Sequence, residues 1–530
     1  MTAWIPYATL AAPALLFLAG CLLSLPTRPH TQVMTAVCSY LSLASTASAV
    51  LAAVGVFTSG SVQAEVSGID LYIDRLSVIM LTLVNFIGAV VIRYSRNYLA
   101  GDPGQIRFFK WLSWTISAVL MLVIAGHFIV FVLAWIITSL CLHHLLLFYP
   151  ERPGAHVAAR KKFVVSRLGD LALILAAVCL YQVFGTLEFG EMFRLSSMDT
   201  DKQAVLNAAA LALVLGAIMK SAQFPFHSWL PEVMETPTPV SALMHAGIIN
   251  AGGFLVIRMS HILIQAPAAL HLLALVGTVT ALFGSLVMLT QTNIKKSLAF
   301  STVAQMGFMM LQCGLGAFSS ALLHIVAHGL YKAHAFLSSG SVVDIARAAW
   351  APPIRDSRHP GELLFSFIAA LALTAGGASL FGLTLAEEPG ILLLGAILQM
   401  ALTYLLWNAM AHHAGPAEML RALTIAAVVT LLYFALQTGF LHMLHAEIAG
   451  PLPIEGLFDS LLLTVVLVGF FAILMLQIQY PGPRAARIWQ AAYVHLYNGF
   501  YISTMANRLL KRYWPKQRHL IDRTSGGMPQ

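Results

Sequence analysis

The stretch GAIMKSAQFPFHSWLPEVMETPTPVSALMHAG, residues 216–247, decides how the chain must fold. It begins at the end of an apolar run, places Lys220 there, and then sets Pro225, Pro231, Pro237 and Pro239 in close succession. Proline removes a backbone donor and interrupts a helix. Inside a bilayer such a break survives only within protein or beside a water-filled cavity. The stretch therefore belongs inside a bundle of helices. A lysine at such a break, partly desolvated, is placed to exchange a proton. The plainer reading of Lys220 is a lysine snorkelling to the membrane interface.

The composition around this stretch is that of a membrane protein. Of 530 residues, 59% are hydrophobic and only 10% charged, with a mean hydropathy of +0.80. A soluble domain carries about 25% charged residues. The N-terminal run MTAWIPYATLAAPALLFLAGCLLSL has no basic region before it and is long enough to span, so it reads as a transmembrane helix rather than a cleaved signal. The net charge of +8 fits basic cytoplasmic loops and gives no reason to expect nucleic-acid binding. The five cysteines, Cys21, Cys38, Cys141, Cys179 and Cys313, sit in apolar runs without a CxxC pair. They read as packing thiols, and no iron–sulfur, zinc or other metal site is expected in this chain.

Apolar runs of spanning length fall near residues 5–25, 32–57, 76–95, 111–127, 128–148, 163–184, 204–224, 238–259, 267–290, 296–314, 318–343, 362–383, 390–411, 419–442 and 457–479. The fold class expected is an all-α polytopic bundle of about fifteen transmembrane helices. Basic residues cluster after odd-numbered runs: Arg28; Arg93, Arg96, Arg107 and Lys110; Arg152, Arg160, Lys161 and Lys162; Lys295 and Lys296; Arg347, Arg355 and Arg358; Arg421; and a basic tail from Arg484 to Arg518. Loops after even-numbered runs are acidic or uncharged, with Glu65, Asp70, Glu188, Glu191, Glu387, Glu388, Glu447 and Glu455. Arg194, Lys202 and Arg258 are the exceptions. The positive-inside rule then puts the N-terminus outside and the C-terminus in the cytoplasm. Expected divisions are N-terminal helices and a basic loop over 1–110, repeats over 111–259 and 260–411, C-terminal helices over 412–480, and a cytoplasmic amphipathic helix and tail over 481–530.

A charge at mid-bilayer costs about 2.5–3.5 kcal/mol on insertion scales, so ionisable residues there mark function. His324, His328 and Lys332 follow one another every four residues in SALLHIVAHGLYKAHAFLSSGSVV. They line one helix face over about 12 Å of rise. Neutral histidine both donates and accepts, so this face can relay protons; a two-histidine metal site lacks a nearby carboxylate or thiolate. His334 points off this face. His245, on the helix after the proline-rich break, can bridge the Lys220 and His324 regions or sit as a satisfied core histidine. Arg167 and Asp170 in VVSRLGDLALIL form an i, i+3 pair that is either structural or a control on a neighbouring lysine's charge. His143 and His144 are further intramembrane candidates. No Walker A loop, dinucleotide fingerprint, nucleophile elbow or HExxH occurs, so no catalytic residues are expected and the energy source should be an ion gradient or a partner.

Residues 484–514, RAARIWQAAYVHLYNGFYISTMANRLLKRYW, place Trp489, Tyr493, Tyr497 and Tyr501 at intervals of four, with basic residues beside them. This is an aromatic stripe on an amphipathic helix. It fits a helix lying on the cytoplasmic leaflet, a docking helix for a cytoplasmic partner, or both.

The proline-rich stretch resembles the signature of the antiporter-like subunits of respiratory complex I and of Mrp-type cation/proton antiporters. STVAQMGFMM and the histidine-bearing helix resemble the signature of the second half. The resemblance covers residues 70 to 411 and implies two inverted five-helix repeats, each with a broken helix and half of a proton path. It gives Lys220, His245, His324, His328, Lys332 and Asp170 pathway roles. Two departures stand out. AWIITSLCLHH has Ile136 after Trp135 where pumping members carry a glutamate, and AGGASLFGLTLAEE has Ala378, Ser379 and Ala386 where they carry two prolines and a lysine.

The C-terminal HLYNGFYISTMANRLLKRYWP is similar to the DabB family of membrane subunits of inorganic-carbon accumulation complexes. That resemblance implies a bacterial inner-membrane location. It also implies a large cytoplasmic partner, DabA, similar to a zinc β-carbonic anhydrase, with the zinc in the partner and no cofactor in this chain. The implied function is CO2 hydration to bicarbonate driven by cation flow, with protons favoured over Na+. The rival readings are an antiporter or respiratory subunit and a non-conducting anchor for a soluble enzyme.

Overall fold

The computed structural model describes residues 2–25, 31–196, 201–340, 360–383, 389–411, 415–450, 456–478 and 486–514. Arg28, Arg347, Arg355, Arg358, Ala386, Glu387, Glu388, Glu455, Arg484, Lys516 and Arg518 lie outside them, as does the side chain of Trp489.

Helices α1 (Ile5–Leu22) and α2 (Thr31–Ser59) lead into a hairpin of β1 (Val62–Val66) and β2 (Ile69–Ile73). The strands pair antiparallel around Ser67 and Gly68, at φ 55° and 79°, the left-handed pair that a two-residue turn requires. This hairpin is an addition to the all-α expectation. Next come α3 (Arg75–Tyr98), α4 (Gln105–Ile124), α5 (Phe128–Leu146), α6 (Pro153–Phe184), the short α7 (Phe189–Ser196) and α8 (Gln203–Lys220). After the proline-rich segment follow α9 (Thr238–Ala246), α10 (Ala251–Arg258), α11 (Ser260–Leu263), α12 (Pro267–Thr290), α13 (Ile294–Gly314) and α14 (Phe318–Leu337). The last helices are α15 (Pro360–Leu380), α16 (Pro389–Ala411), α17 (Pro416–Leu444), α18 (Leu457–Ile478), α19 (Ala486–Tyr497) and α20 (Ile502–Tyr513).

Among the described residues thirteen spans are long and apolar enough to cross a membrane, α9 and α10 counting as one. Helices α13 and α14 have spanning length but are more polar, because α14 carries His324, His328, Lys332 and His334 and α13 carries Ser301, Gln305 and Gln312. With them the described residues hold fifteen helices of spanning length, in keeping with the roughly fifteen expected, and the chain is a multi-pass membrane protein.

The break falls where the prolines put it. Helix α8 stops at Lys220, Ala222 turns the chain at φ 49°, and short 3-10 turns at Phe226–Trp229 and Pro231–Glu235 carry it to α9. The freed backbone is answered inside the protein. The Phe224 N–H donates to Thr280 Oγ1 at 3.0 Å, and the Ser221 hydroxyl donates to the Ile249 carbonyl at 2.7 Å. The span Thr238–Arg258 is wholly buried. Beside it α12 and α13 approach backbone to backbone: a Cβ on Gly277 would lie 2.7 Å from the Gly307 carbonyl oxygen, and one on Gly314 would lie 2.4 Å from Ala274 N. Small residues allow such contact between membrane helices.

The three exceptions to the charge alternation all have partners. Arg194 pairs with Glu191 at 2.6 Å, and Lys202 donates to the Gln182 carbonyl at 2.6 Å. Arg258, at the end of α10, is buried and grips Asp74 through two bonds of 2.5 and 3.0 Å. Asp74 in turn caps α3 by accepting from Ser77 N at 2.7 Å. Close by, Glu447 accepts from the Ser61 hydroxyl at 3.0 Å and from Leu76 N at 3.2 Å, tying the end of α17 to the hairpin. Burial pushes the Glu447 carboxyl above its ordinary range and the Asp74 charge adds to this, while the backbone N–H groups and Ser61 pull back.

Two predictions arise here. Asp74→Asn leaves Arg258 buried and unpaired and is expected to cost about 3–5 kcal/mol, read as a lower thermal unfolding midpoint in detergent. The raised Glu447 group holds its proton in the native state at pH values where the unfolded chain has lost it. Stability should therefore fall as pH rises from the ordinary glutamate range through the native value. Glu447→Gln should flatten that slope in a pH series of unfolding midpoints.

Candidate ion path and its latch

The ionisable residues within the bundle form two clusters. The first lies where α5, α6 and α8 meet. Trp135 of α5 is buried, and the Lys220 ammonium stands 4.3 Å from its ring centroid, a cation–π contact. Asp170 of α6 pairs with Arg167 at 2.7 Å. Lys162, one and a half turns before Arg167 on the same helix, reaches α5 and donates to the Ser139 carbonyl and hydroxyl at 2.5 and 2.8 Å. The charges of Lys162, Arg167, Asp170 and Lys220 act on one another. One carboxylate thus serves three basic groups, and a proton gained or lost at Lys162, Lys220 or Asp170 is felt by the rest.

The second cluster lies on α14 and α9. The His324 and His328 rings are 5.8 Å apart, and the next residue on that face, Lys332, is buried at 1% exposure. Its ammonium donates to the Leu298 carbonyl at 3.0 Å and to the Ser301 hydroxyl. His245 stacks on Phe336 at 4.4 Å and acts electrostatically on His328 and Lys332. Among the described residues, neither ring nitrogen of His245, nor Nε2 of His324 or of His328, has a hydrogen-bond partner. His324, His328 and Lys332 line a cavity of about 710 Å³ between α13, α14, α16 and α17, together with Ser301, Gln312 and Gln437. Water held beside the polar groups of this cavity can complete the hydrogen bonding of these rings.

His245 therefore sits with the second cluster. Among the described residues no hydrogen bond or ion pair joins it to Lys220. Between the clusters lie the backbone of the break and the buried amide of Asn250, which donates to the Ala246 carbonyl at 2.7 Å and keeps its oxygen unpaired. Of the remaining candidates, His334 is exposed, as its helical phase predicts. His144 stacks on Trp111 at 3.8 Å, and His143 packs against Phe163. Among the described residues no three histidine, cysteine or acidic side chains converge as a metal site needs.

Two lysines that read as loop residues in the sequence prove central. The run beginning at 163 starts too late, because α6 begins at Pro153. At 32 residues it is about 48 Å long, well beyond the bilayer core. The proline at its first turn was the available signal. Lys162 thereby joins the first cluster. Lys161, its neighbour, turns the other way and pairs with Glu232 of the broken segment at 2.7 Å. Ser503 and Asn507 of α20 bond the same Glu232 oxygen. The C-terminal helix is thus latched to the segment that follows Lys220.

The aromatic stripe needs correction. The helix breaks between Tyr497 and Tyr501, where Phe500 and Tyr501 take φ 49° and 61°, so the four positions do not share one face. Tyr493 donates to the Thr290 carbonyl at 3.3 Å, and Gln291 donates to the Tyr497 carbonyl at 3.1 Å. The Asn498–Gly499 pair, rich in left-handed conformers, signals the break.

Lys162→Met removes the charge but keeps the apolar stem, and is expected to change stability by less than about 1.5 kcal/mol. Asp170→Asn strands three basic groups and should cost about 3–5 kcal/mol. Thermal unfolding of the purified chain checks the contrast; equal losses would show that packing, not charge, holds the cluster.

Residues 125–357 match the family described as NADH:quinone oxidoreductase/Mrp antiporter, TM, and residues 57–109 match NADH-Ubiquinone oxidoreductase (complex I), chain 5 N-terminus. The chain is 41% identical over 453 residues to the "Probable inorganic carbon transporter subunit DabB2" of Halothiobacillus neapolitanus, covering 85% of this chain and 81% of that one. It is 35% identical over 463 residues to the "Probable inorganic carbon transporter subunit DabB" of Hydrogenovibrio crunogenus, covering 86% and 85%. Its fold matches a chain of the Mrp complex from Dietzia sp. DQ12-45-1b with a TM-score of 0.65 at 23% identity, over 96% of this chain and 59% of the other. By identity and coverage along nearly its whole length, the chain belongs to the DabB family of membrane subunits, built on the fold of the complex I and Mrp antiporter proteins.

Proposed function

We propose that this chain conducts protons down their gradient across a bacterial inner membrane and uses their passage to drive a cytoplasmic partner similar to DabA. With the N-terminus outside, protons meet His324, His328 and Lys332 in turn, cross by Asn250 at the α9–α10 junction with His245 alongside, and reach Lys220, Lys162 and Asp170. The zinc belongs to the partner, where it would supply the hydration of CO2 to bicarbonate. In this chain the residues move and hold protons.

The observation that carries the reading is the placement of consecutive lysines on α6. Lys162 lies in the proton cluster and Lys161 in the latch that holds the C-terminal helix to Glu232. Coupling requires the ion to favour one conformation over another. A change of charge around Lys162 and Asp170 acts on a helix turn that also fixes the tail, the part of the chain facing a cytoplasmic partner. Tyr493 and Tyr497, each nearly half exposed, give that partner a surface, and Trp489 and Tyr501 flank it in sequence. A passive anchor has no use for Lys220 against Trp135 or for the buried Lys332.

The test is bicarbonate accumulation in cells carrying the partner. Lys220→Ala and Lys332→Ala should each lower it by about tenfold or more while the partner still copurifies. The Ser503→Ala, Asn507→Ala double variant should keep proton flux in vesicles and lose accumulation. Full accumulation with Lys332→Ala would leave the anchor reading in its place.

A further inference from the structure

A second cavity, of about 310 Å³, opens at the end of the bundle that bears the β-hairpin, where α13 turns into α14 and α17 ends. His445 and Gly450 stand exposed at its rim, and Ile448, Ala449 and Ser320 are buried in its wall. Ser320 also lines the larger cavity that holds His324, His328 and Lys332. It is the next residue outward on the same helix face, four before His324. At this shared wall the Gln437 side-chain amide of α17 donates to the Ser320 hydroxyl. Gln437 is 1% exposed and lines the larger cavity, and its buried amide oxygen has no hydrogen-bond partner among the described residues.

We infer that the Gln437–Ser320 hydrogen bond is the gate between an outer vestibule and the proton cavity. A buried amide oxygen left unpaired calls for a physical account, and a side chain that changes partners supplies one. When the bond opens, both groups turn polar atoms toward the gap, the two cavities join through Ser320, and water can reach His324 from the vestibule. When it closes, the proton cavity is sealed from the hairpin side. A coupled path needs such a closure, because a permanently open one would dissipate the gradient without favouring either conformation. This inference deepens the proposed proton path and rests on it for purpose, but the access it describes can be measured without any ion flux.

The experiment is thiol labelling of the full chain in sealed membrane vesicles with a charged, membrane-impermeant methanethiosulfonate. Ser67→Cys in the hairpin turn marks the outer side, and His324→Cys reports the cavity, each read above the background of the native cysteines. Gln312→Cys, in the same cavity, is the second reporter should His324→Cys not fold. The reporter is expected to be labelled slowly from the side that labels Ser67→Cys. Gln437→Ala or Ser320→Ala, each of which removes the bond alone, should speed this about five- to tenfold. No labelling from that side in either gate variant, or a rate the variants leave unchanged, overturns the gate. If labelling behaves as expected while vesicles holding the unsubstituted chain pass no protons, the gate stands and the proton reading of the path fails.

Discussion

A broken helix at membrane depth must find all its hydrogen bonds inside the protein, and the architecture follows from that need. Between Lys220 and Thr238 the chain gives up regular helical bonding. Lipid offers nothing in exchange. The bundle answers with Thr280 on α12, with the Ser221 hydroxyl turned onto the next span, and with a following span that has no exposed residue in its apolar window. The glycine-lined contact of α12 and α13 brings this support close. The break in turn leaves a lysine at the end of a half-helix, against the ring of Trp135.

Charge is treated differently in different parts of the molecule. At the hairpin end, Arg258 and Asp74 neutralise each other through two direct bonds, and the role is structural. In the interior the basic groups outnumber the acids. Lys332 relies on a carbonyl and a hydroxyl, Lys162 on Ser139, and Asp170 is shared among several cations. Groups held by neutral acceptors can change protonation without breaking an ion pair, which suits a path and would serve a static clamp poorly. The position after Trp135 is Ile136, which lines a cavity with lipid-side residues such as Leu133 and Val178. The polar contact to α5 is made instead three residues on, at Ser139, by a lysine from α6.

The C-terminal segment joins these parts to the outside world. Its helices do not lie free. Tyr493 and Tyr497 touch the end of α12, Trp514 packs against Phe163 and receives Arg160 over its ring, and Ser503 and Asn507 hold Glu232. The tail is thus bonded to both α6 and the broken segment.

The sequence by itself determined the class of the protein, the fifteen spans, the position of the break and the face of α14 on which His324, His328 and Lys332 follow one another. Each is a local property: apolar length sets a span, proline sets a break, and helical period sets a face. It also placed the family, because the proline-rich and histidine-bearing motifs are contiguous. Only the tertiary structure decided which side chains meet. Lys161 and Lys162 read as an ordinary basic loop until α6 is seen to start at Pro153. Glu232 reads as a turn residue until α20 reaches it across more than half the chain. Ser320 and Gln437, 117 residues apart, carry no periodic or charge signal at all. Pairings of that kind arise from how helices stack, and a stacking contact leaves no mark in the local pattern of either partner.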